Sequence, residues 1–232
     1  MNRLKNTDSL ADEIKEQRSE VLRERTLGQK LSYLAFYYKY HLIIAAIVIC
    51  VITYVVSTVL TNKQPYLQIA CVNANSEVDF DEVLAEYDAT LQYDRDKLST
   101  YMDASYVIAN DNQNGFDSNQ IQKIFYSTAA NRIDVIVADE VNFMWMASNG
   151  YFKNLDLALS PEEKEKYADK LLACKVTSNG QEYDEISGIE VELASKVAQG
   201  NWYPQGKAYI GIVMETDRID ESIDFIDYLF EE

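Results

Sequence analysis

The 232-residue sequence predicts an α/β protein: one apolar helix near the N-terminus, followed by an α/β sandwich on a mainly parallel sheet. Three observations carry this expectation. Residues 42–60 hold no charged side chain. Beyond them, short runs rich in Val, Ile and Ala alternate with segments whose apolar residues recur at helical spacing. Several of those segments open on an N-cap pattern.

At about 1.5 Å per residue, the apolar run spans roughly 28 Å, near the hydrocarbon thickness of a bilayer. Forty-one residues precede it, and residues 57–62 contain no small-x-small cleavage site. A signal peptide has a shorter leader and a shorter apolar core, so an uncleaved signal anchor is expected. Lys30, Lys39, His41, Arg23 and Arg25 lie on the N-terminal side, whereas Lys63 is the only nearby cation beyond. That bias places the N-terminus in the cytoplasm and the bulk of the chain outside. Tyr33, Phe36, Tyr37, Tyr38 and Tyr40 crowd the inner boundary as an interfacial aromatic belt. The stripe Leu27, Leu31, Leu34, Tyr38 predicts a helix running unbroken over 27–60. Ala45, Ala46 and Ser57 leave room for a homodimer, although the anchor has no Gly-x-x-x-Gly face. The expected organisation is a charged cytoplasmic arm and juxtamembrane helix (1–41), a transmembrane helix (42–60), a linker (61–65) and an extracytoplasmic domain (66–232). Leu10, Ile14, Val21 and Leu22 give the arm too thin an apolar face to fold alone.

Charge divides the same way. Residues 1–41 carry 8 Lys/Arg against 6 Asp/Glu, and the rest 13 against 32, a net of −19. So acidic a domain repels the phosphate backbone of nucleic acids, which excludes them as partners. Cationic ligands and basic partners are admitted. Cys71 and Cys174 sit in apolar runs, where a thiol packs as a small hydrophobe, or where an extracytoplasmic pair closes a disulfide. One histidine and no Cys-x-x-Cys exclude zinc-type clusters, and no cofactor is implied.

In order along the domain, residues 66–73 read as a buried strand ending in Asn73. Asp79 and Glu82 form a capping pattern for a helix using Phe80, Val83, Leu84, Tyr87 and Leu91. Residues 101–108 form a second strand. Asp117 caps a helix with Ile121, Ile124, Phe125 and Ala129 on one face. Residues 133–138 (IDVIVA) suit the centre of a parallel sheet. A helix over 140–149 stops at Gly150. Ser160, Pro161 and Glu163 combine N-cap, N1 proline and N3 glutamate, and the helix they open should reach Ala173. Residues 180–201 read as irregular, with a short strand or helix near 189–197. Residues 207–214 form a last strand, and Ile219, Ile223, Ile226 and Phe230 mark a closing helix.

The segment from Ile133 to Asp139, then Ala147, Ser148, Gly150, Phe152 and Leu155, resembles the solute-binding proteins of ABC transporters, the type-2 periplasmic-binding fold. There, a strand ending in Asp leads through a helix to a small-x-x-Gly-x-aromatic turn. Residues 209–214, a short loop and residues 222–229 look like the same family's late strand and helix. The plan is also similar to uncharacterised clostridial-type single-pass proteins that carry an aromatic-Tyr-Lys-x-His segment before the anchor, here residues 37–41. The resemblance implies a Gram-positive envelope and a binding role. At 167 residues (66–232), the domain is expected to be a reduced version, one full lobe plus a remnant of the second.

Asp139 stands at the C-terminal end of a central strand and Asn73 at the corresponding end of the first strand, where open α/β sheets bind ligands; the alternative is that both cap helices. Trp145, Trp202 and Tyr203 offer faces for a sugar or a cation, with core packing as the alternative for Trp145. Asn110, Asn112, Asn114 and Asp117 resemble part of a calcium loop, although Asn110 and Ile121 replace its first and twelfth ligands. No nucleophile elbow, phosphate loop or usable histidine supports catalysis. The expected function is a non-enzymatic, membrane-tethered binding, sensory or transporter-accessory module for a small solute. The alternative is a scaffold meeting an envelope protein.

Overall fold

The computed structural model describes residues 38–111, 115–116, 118–178 and 180–231, with positions 15, 26, 28, 32 and 36. It divides into two compact units, Met1–Asn62 and Lys63–Glu232. In the first, helix α1 (Lys39–Thr61) is long and apolar enough to cross a membrane. Its 23 residues extend about 35 Å. Tyr38 is its N-cap, with φ −103° and ψ 13°, so the unbroken helix expected over 27–60 is divided there. Leu27, Leu31, Leu34 and the arm's apolar residues lie outside the described residues.

The second unit is α/β, with a mixed six-stranded sheet in the order β2-β1-β5-β8-β7-β6. The strands are β1 (Gln64–Val72), β2 (Leu98–Tyr106), β5 (Val135–Asp139), β6 (Leu171–Ser178), β7 (Gln181–Glu190) and β8 (Ala208–Ile212). A two-stranded ribbon pairs β3 (Asn110–Asp111) with β4 (Gly115–Phe116). The helices are α2 (Phe80–Thr90), α3 (Ser118–Ala129), α4 (Glu140–Ser148), α5 (Leu155–Ala158), α6 (Pro161–Lys166), α7 (Ser195–Gly200) and α8 (Ile219–Phe230).

Strand β1 pairs in parallel with β2 and β5, whereas β5–β8, β8–β7 and β7–β6 are antiparallel. The sheet is therefore mixed rather than mainly parallel. Much of the difference is a hairpin. The Ser160 capping box forms as expected, with Ser160 Oγ accepting from Glu163 N–H and Glu163 returning to Ser160 N–H. The helix stops at Lys166, not Ala173, and residues 171–190 form β6 and β7 where helix and irregular chain were expected.

Alternation along the central strands fills a core on each face. Leu67, Ile69, Cys71, Val135, Val137, Ile210 and Ile212 meet Tyr87 of α2 and Phe225, Ile226 and Leu229 of α8. Ala70, Val72, Ile136, Ala138 and Tyr209 meet Ile124 of α3 and Phe143 and Met146 of α4. Phe125, expected on the buried face of α3, is instead half exposed. Phe143 stacks on Phe152 with centroids 4.5 Å apart. This stack lies against two bare backbone sites, because a Cβ on Gly211 would come within 2.6 Å of Phe152 and one on Gly188 within 2.6 Å of Phe143 Cε1. Cys71 and Cys174 are both free and occupy opposite cores. Four strand spacings separate β1 from β6, about 19 Å, so no disulfide can join them.

At the strand ends away from the cleft described below, Asp134 is fully buried beneath α8. Its Oδ1 accepts from Thr216 Oγ1 at 2.5 Å and Arg218 Nη1 at 3.0 Å, and its Oδ2 accepts from Gln68 N–H at 2.8 Å.

Candidate functional site

A cleft of about 700 Å³ opens at the C-terminal ends of β1, β2 and β5. Four segments line it: residues 73–76, 107–109, 139–141 and 203–207. Parallel strands end there, and the loops that leave them diverge to opposite faces, which leaves a crevice at the sheet edge.

Asn73 and Asp139 both line this cleft, yet their side chains are turned to building its walls. Asn73 has φ 55°, a left-handed conformation that Asn tolerates better than most residues. Its Oδ1 accepts from Ile108 N–H at 2.7 Å and its Nδ2 donates to Ile108 C=O at 2.9 Å, so the amide extends the β1–β2 ladder by one rung. Asp139 is the N-cap of α4, accepting from Val141 and Asn142 N–H at 3.1 Å. Asn142 Nδ2 donates to Asp139 Oδ2 at 2.7 Å and reaches Ile108 C=O at 3.5 Å, which ties two walls together. Asn142 Oδ1 is buried and has no hydrogen-bond partner among the described residues.

The third wall is held the same way. Asn75 N–H donates to Trp202 C=O at 2.8 Å, and Asn75 Nδ2 donates to Asn201 C=O at 3.1 Å. Tyr203 forms the floor: its hydroxyl donates to Val137 C=O at 2.9 Å. Burial, then the neighbouring Cys71 and Asp139, push this phenol well up, so it stays a proton donor. Burial likewise pushes the Cys71 thiol up and keeps it neutral. At the rim, Lys207 Nζ pairs with Glu190 Oε2 at 2.8 Å, and that hydrogen bond holds its ammonium charged.

The structure thus gathers Asn73, Asp139 and Tyr203 at one cleft and leaves two tryptophans elsewhere. Trp202 is fully buried, edge-on to Phe80 at 5.2 Å, and contributes its backbone carbonyl to the wall. Trp145 lies along α4 with its ring 5.9 Å from Tyr151, packed against the α3–α4 side core. In the calcium-like loop, Asn110 belongs to β3, whereas Asn112, Asn114 and Asp117 lie outside the described residues. Among the described residues, no three His, Cys, Asp or Glu side chains gather to hold a metal.

Sequence reasoning missed Asn75, Asn142 and the 204–207 turn. Asn142 was detectable, since it stands at N3 of a helix capped by Asp139 and can return a hydrogen bond to the cap. Pro204 and Gly206 marked a turn before β8. No protein-family model, curated protein or solved structure matches the chain. The geometry of the cleft therefore carries the functional argument alone.

Proposed function

We propose that this chain is a membrane-tethered binding module, with α1 as the anchor and the cleft at the ends of β1, β2 and β5 as the ligand site. In this reading the N-terminus is cytoplasmic and the α/β unit faces the outside of a Gram-positive envelope. There it serves as a sensory or transporter-accessory domain, resembling a reduced solute-binding protein. No catalysis is assigned to it. The observation that carries the proposal is preorganisation. Asn73, Asn75, Asn142 and Tyr203 are spent on fixing the walls, so hydrogen bonds within the protein set the shape of the cleft. A site already formed loses less ordering entropy on binding.

Thermal-shift screening of residues 63–232 against sugars, short peptides, polyamines and Ca²⁺ tests the binding half. A ligand at one hundred times its Kd adds about 2.7 kcal/mol of stability. Ala109→Trp, which fills the cleft from an exposed wall position, should abolish the shift and leave the free protein's melting unchanged. No shift with any class, or an equal shift in the filled variant, defeats the reading. Protease accessibility of tags at the two termini in intact cells tests the topology.

One observation favours the scaffold alternative. Phe125 and Met214 expose apolar surface along a second groove of about 350 Å³ beside Gly150 and Tyr151. A protein partner caught there, with no ligand in the cleft, would move the assignment.

A further inference from the structure

We infer that the cleft takes a small organic cation: a protonated amine carried on a short apolar body. This rests on the binding reading above and names the ligand class for it.

Among the described residues Lys207 is the one cation lining the cleft, and its ammonium is already paired with Glu190 at 2.8 Å. Asp139 is engaged by two backbone amides and Asn142. Glu140, beside it, is exposed and takes part in no ion pair or side-chain hydrogen bond among the described residues. What the cleft presents is therefore a free carboxylate backed by a second negative charge.

The N-terminus of α4 points the same way. Free amides at such a terminus ordinarily attract anions. Here the Asp139 carboxylate already occupies the Val141 and Asn142 amides, filling the place an anion would take and leaving a negative charge in it. The acidic excess of the whole domain adds a field that repels anions and draws in cations.

The remaining lining fits the rest of such a molecule. Val107 and Val141 are exposed aliphatic side chains, 62% and 50% accessible, on two different walls. Pro204 and the Tyr203 ring close the floor, and Ser76 and Gln205 supply uncharged hydrogen-bonding groups. An ammonium at Glu140 with an alkyl body between Val107 and Val141 satisfies both halves.

The test uses three probes with the same six-carbon body: hexylamine, hexanol and hexanoate. Each is titrated onto the full chain in nanodiscs, with the methyl NMR signals of Val107, Ile108 and Val141 as the readout. Hexylammonium should move these signals and bind tighter than hexanol by up to about fivefold, the effect of one partly exposed charge pair. Added salt should narrow the gap, and hexanoate should not bind. Glu140→Gln should lower hexylammonium affinity to that of hexanol, whereas Glu140→Asp should keep the preference. The Asp variant separates lost charge from lost packing at the first turn of α4. Hexanol binding as tightly as hexylammonium, or an unchanged preference in Glu140→Gln, overturns the cation inference and leaves the binding reading standing. Cleft signals unmoved by all three probes also overturn the cation inference, and the thermal-shift screen then decides the binding reading on its own.

Discussion

Replacing Gly211 by Ala should destabilise the domain, although glycine in a strand interior is ordinarily replaced with profit. Losing glycine's extra backbone freedom usually gains about 0.4–1 kcal/mol. At Gly211 the new methyl would lie 2.6, 2.8 and 2.9 Å from three Phe152 ring atoms, against the roughly 3.5–4.0 Å of a comfortable carbon contact. The ring would have to retreat by about 1 Å. Its freedom to do so is restricted, because the ring is stacked on Phe143 at 4.5 Å and 10°, and Phe143 in turn lies against Gly188. The Phe152 backbone is also held by its bridge to Val213. Overpacking of this kind costs about 1–3 kcal/mol. For a domain of this size that is roughly 2–10 °C in Tm. Urea unfolding of residues 63–232 measures it. Pairing Gly211→Ala with Phe152→Leu should recover part of the loss, with a coupling of at least about 0.5 kcal/mol in the double-mutant cycle. A neutral or stabilising Gly211→Ala, or strict additivity in the cycle, refutes the packing argument.

Other outcomes follow from charge and thiol placement. Arg218→Ala strips the fully buried Asp134 of its cation and should cost about 3–5 kcal/mol by urea titration. Asp224 on α8 is pushed up by partial burial first, then by Asp227, Glu221, Asp220 and Glu163. Its folded pKa thus exceeds the unfolded value, so its ionised form opposes folding above that pKa and the penalty fades as pH falls through it. Asp224→Asn should therefore stabilise at pH 7, by less than about 1 kcal/mol after solvent screening, and the gain should vanish near pH 4. Cys71 and Cys174, both buried, should resist maleimide in the native domain and both label in urea, with no disulfide by mass spectrometry under oxidising conditions. Rapid native labelling would contradict the core packing.

What was legible in the sequence was mostly local. The run ending at Asp139 is apolar and β-branched because β5 is buried on both faces, and an Asp after such a run is both strand end and helix cap. The position of Asn73 and Asp139 at one cleft followed from a topological rule, without knowing which strands pair. The β6–β7 hairpin escaped because Ser160 announces a helix so strongly, and Leu171 and Leu172 prolong its apolar spacing. β7 (QEYDEISGIE) reads as polar because its first four residues are exposed. The Asn179-Gly180 pair was the missed signal, a strong marker of a tight hairpin, and Gly180 adopts φ 76°. The antiparallel pairing of β5 with β8 joins residues 69 to 77 positions apart, a separation no local pattern encodes. Nor could composition tell that Asn73 would spend its amide on Ile108.

The chain passes from α1 into β1 within two residues, Asn62 and Lys63, and the cleft lies at the opposite end of that same strand. A pull applied between Lys63 and the cleft would therefore run along β1 itself. β1 is flanked on both sides, by β2 and β5, in parallel ladders whose hydrogen bonds lie across the pull. Such a load shears many bonds together instead of peeling them one at a time. The fold is thus suited to bear force applied between the start of β1 and the cleft.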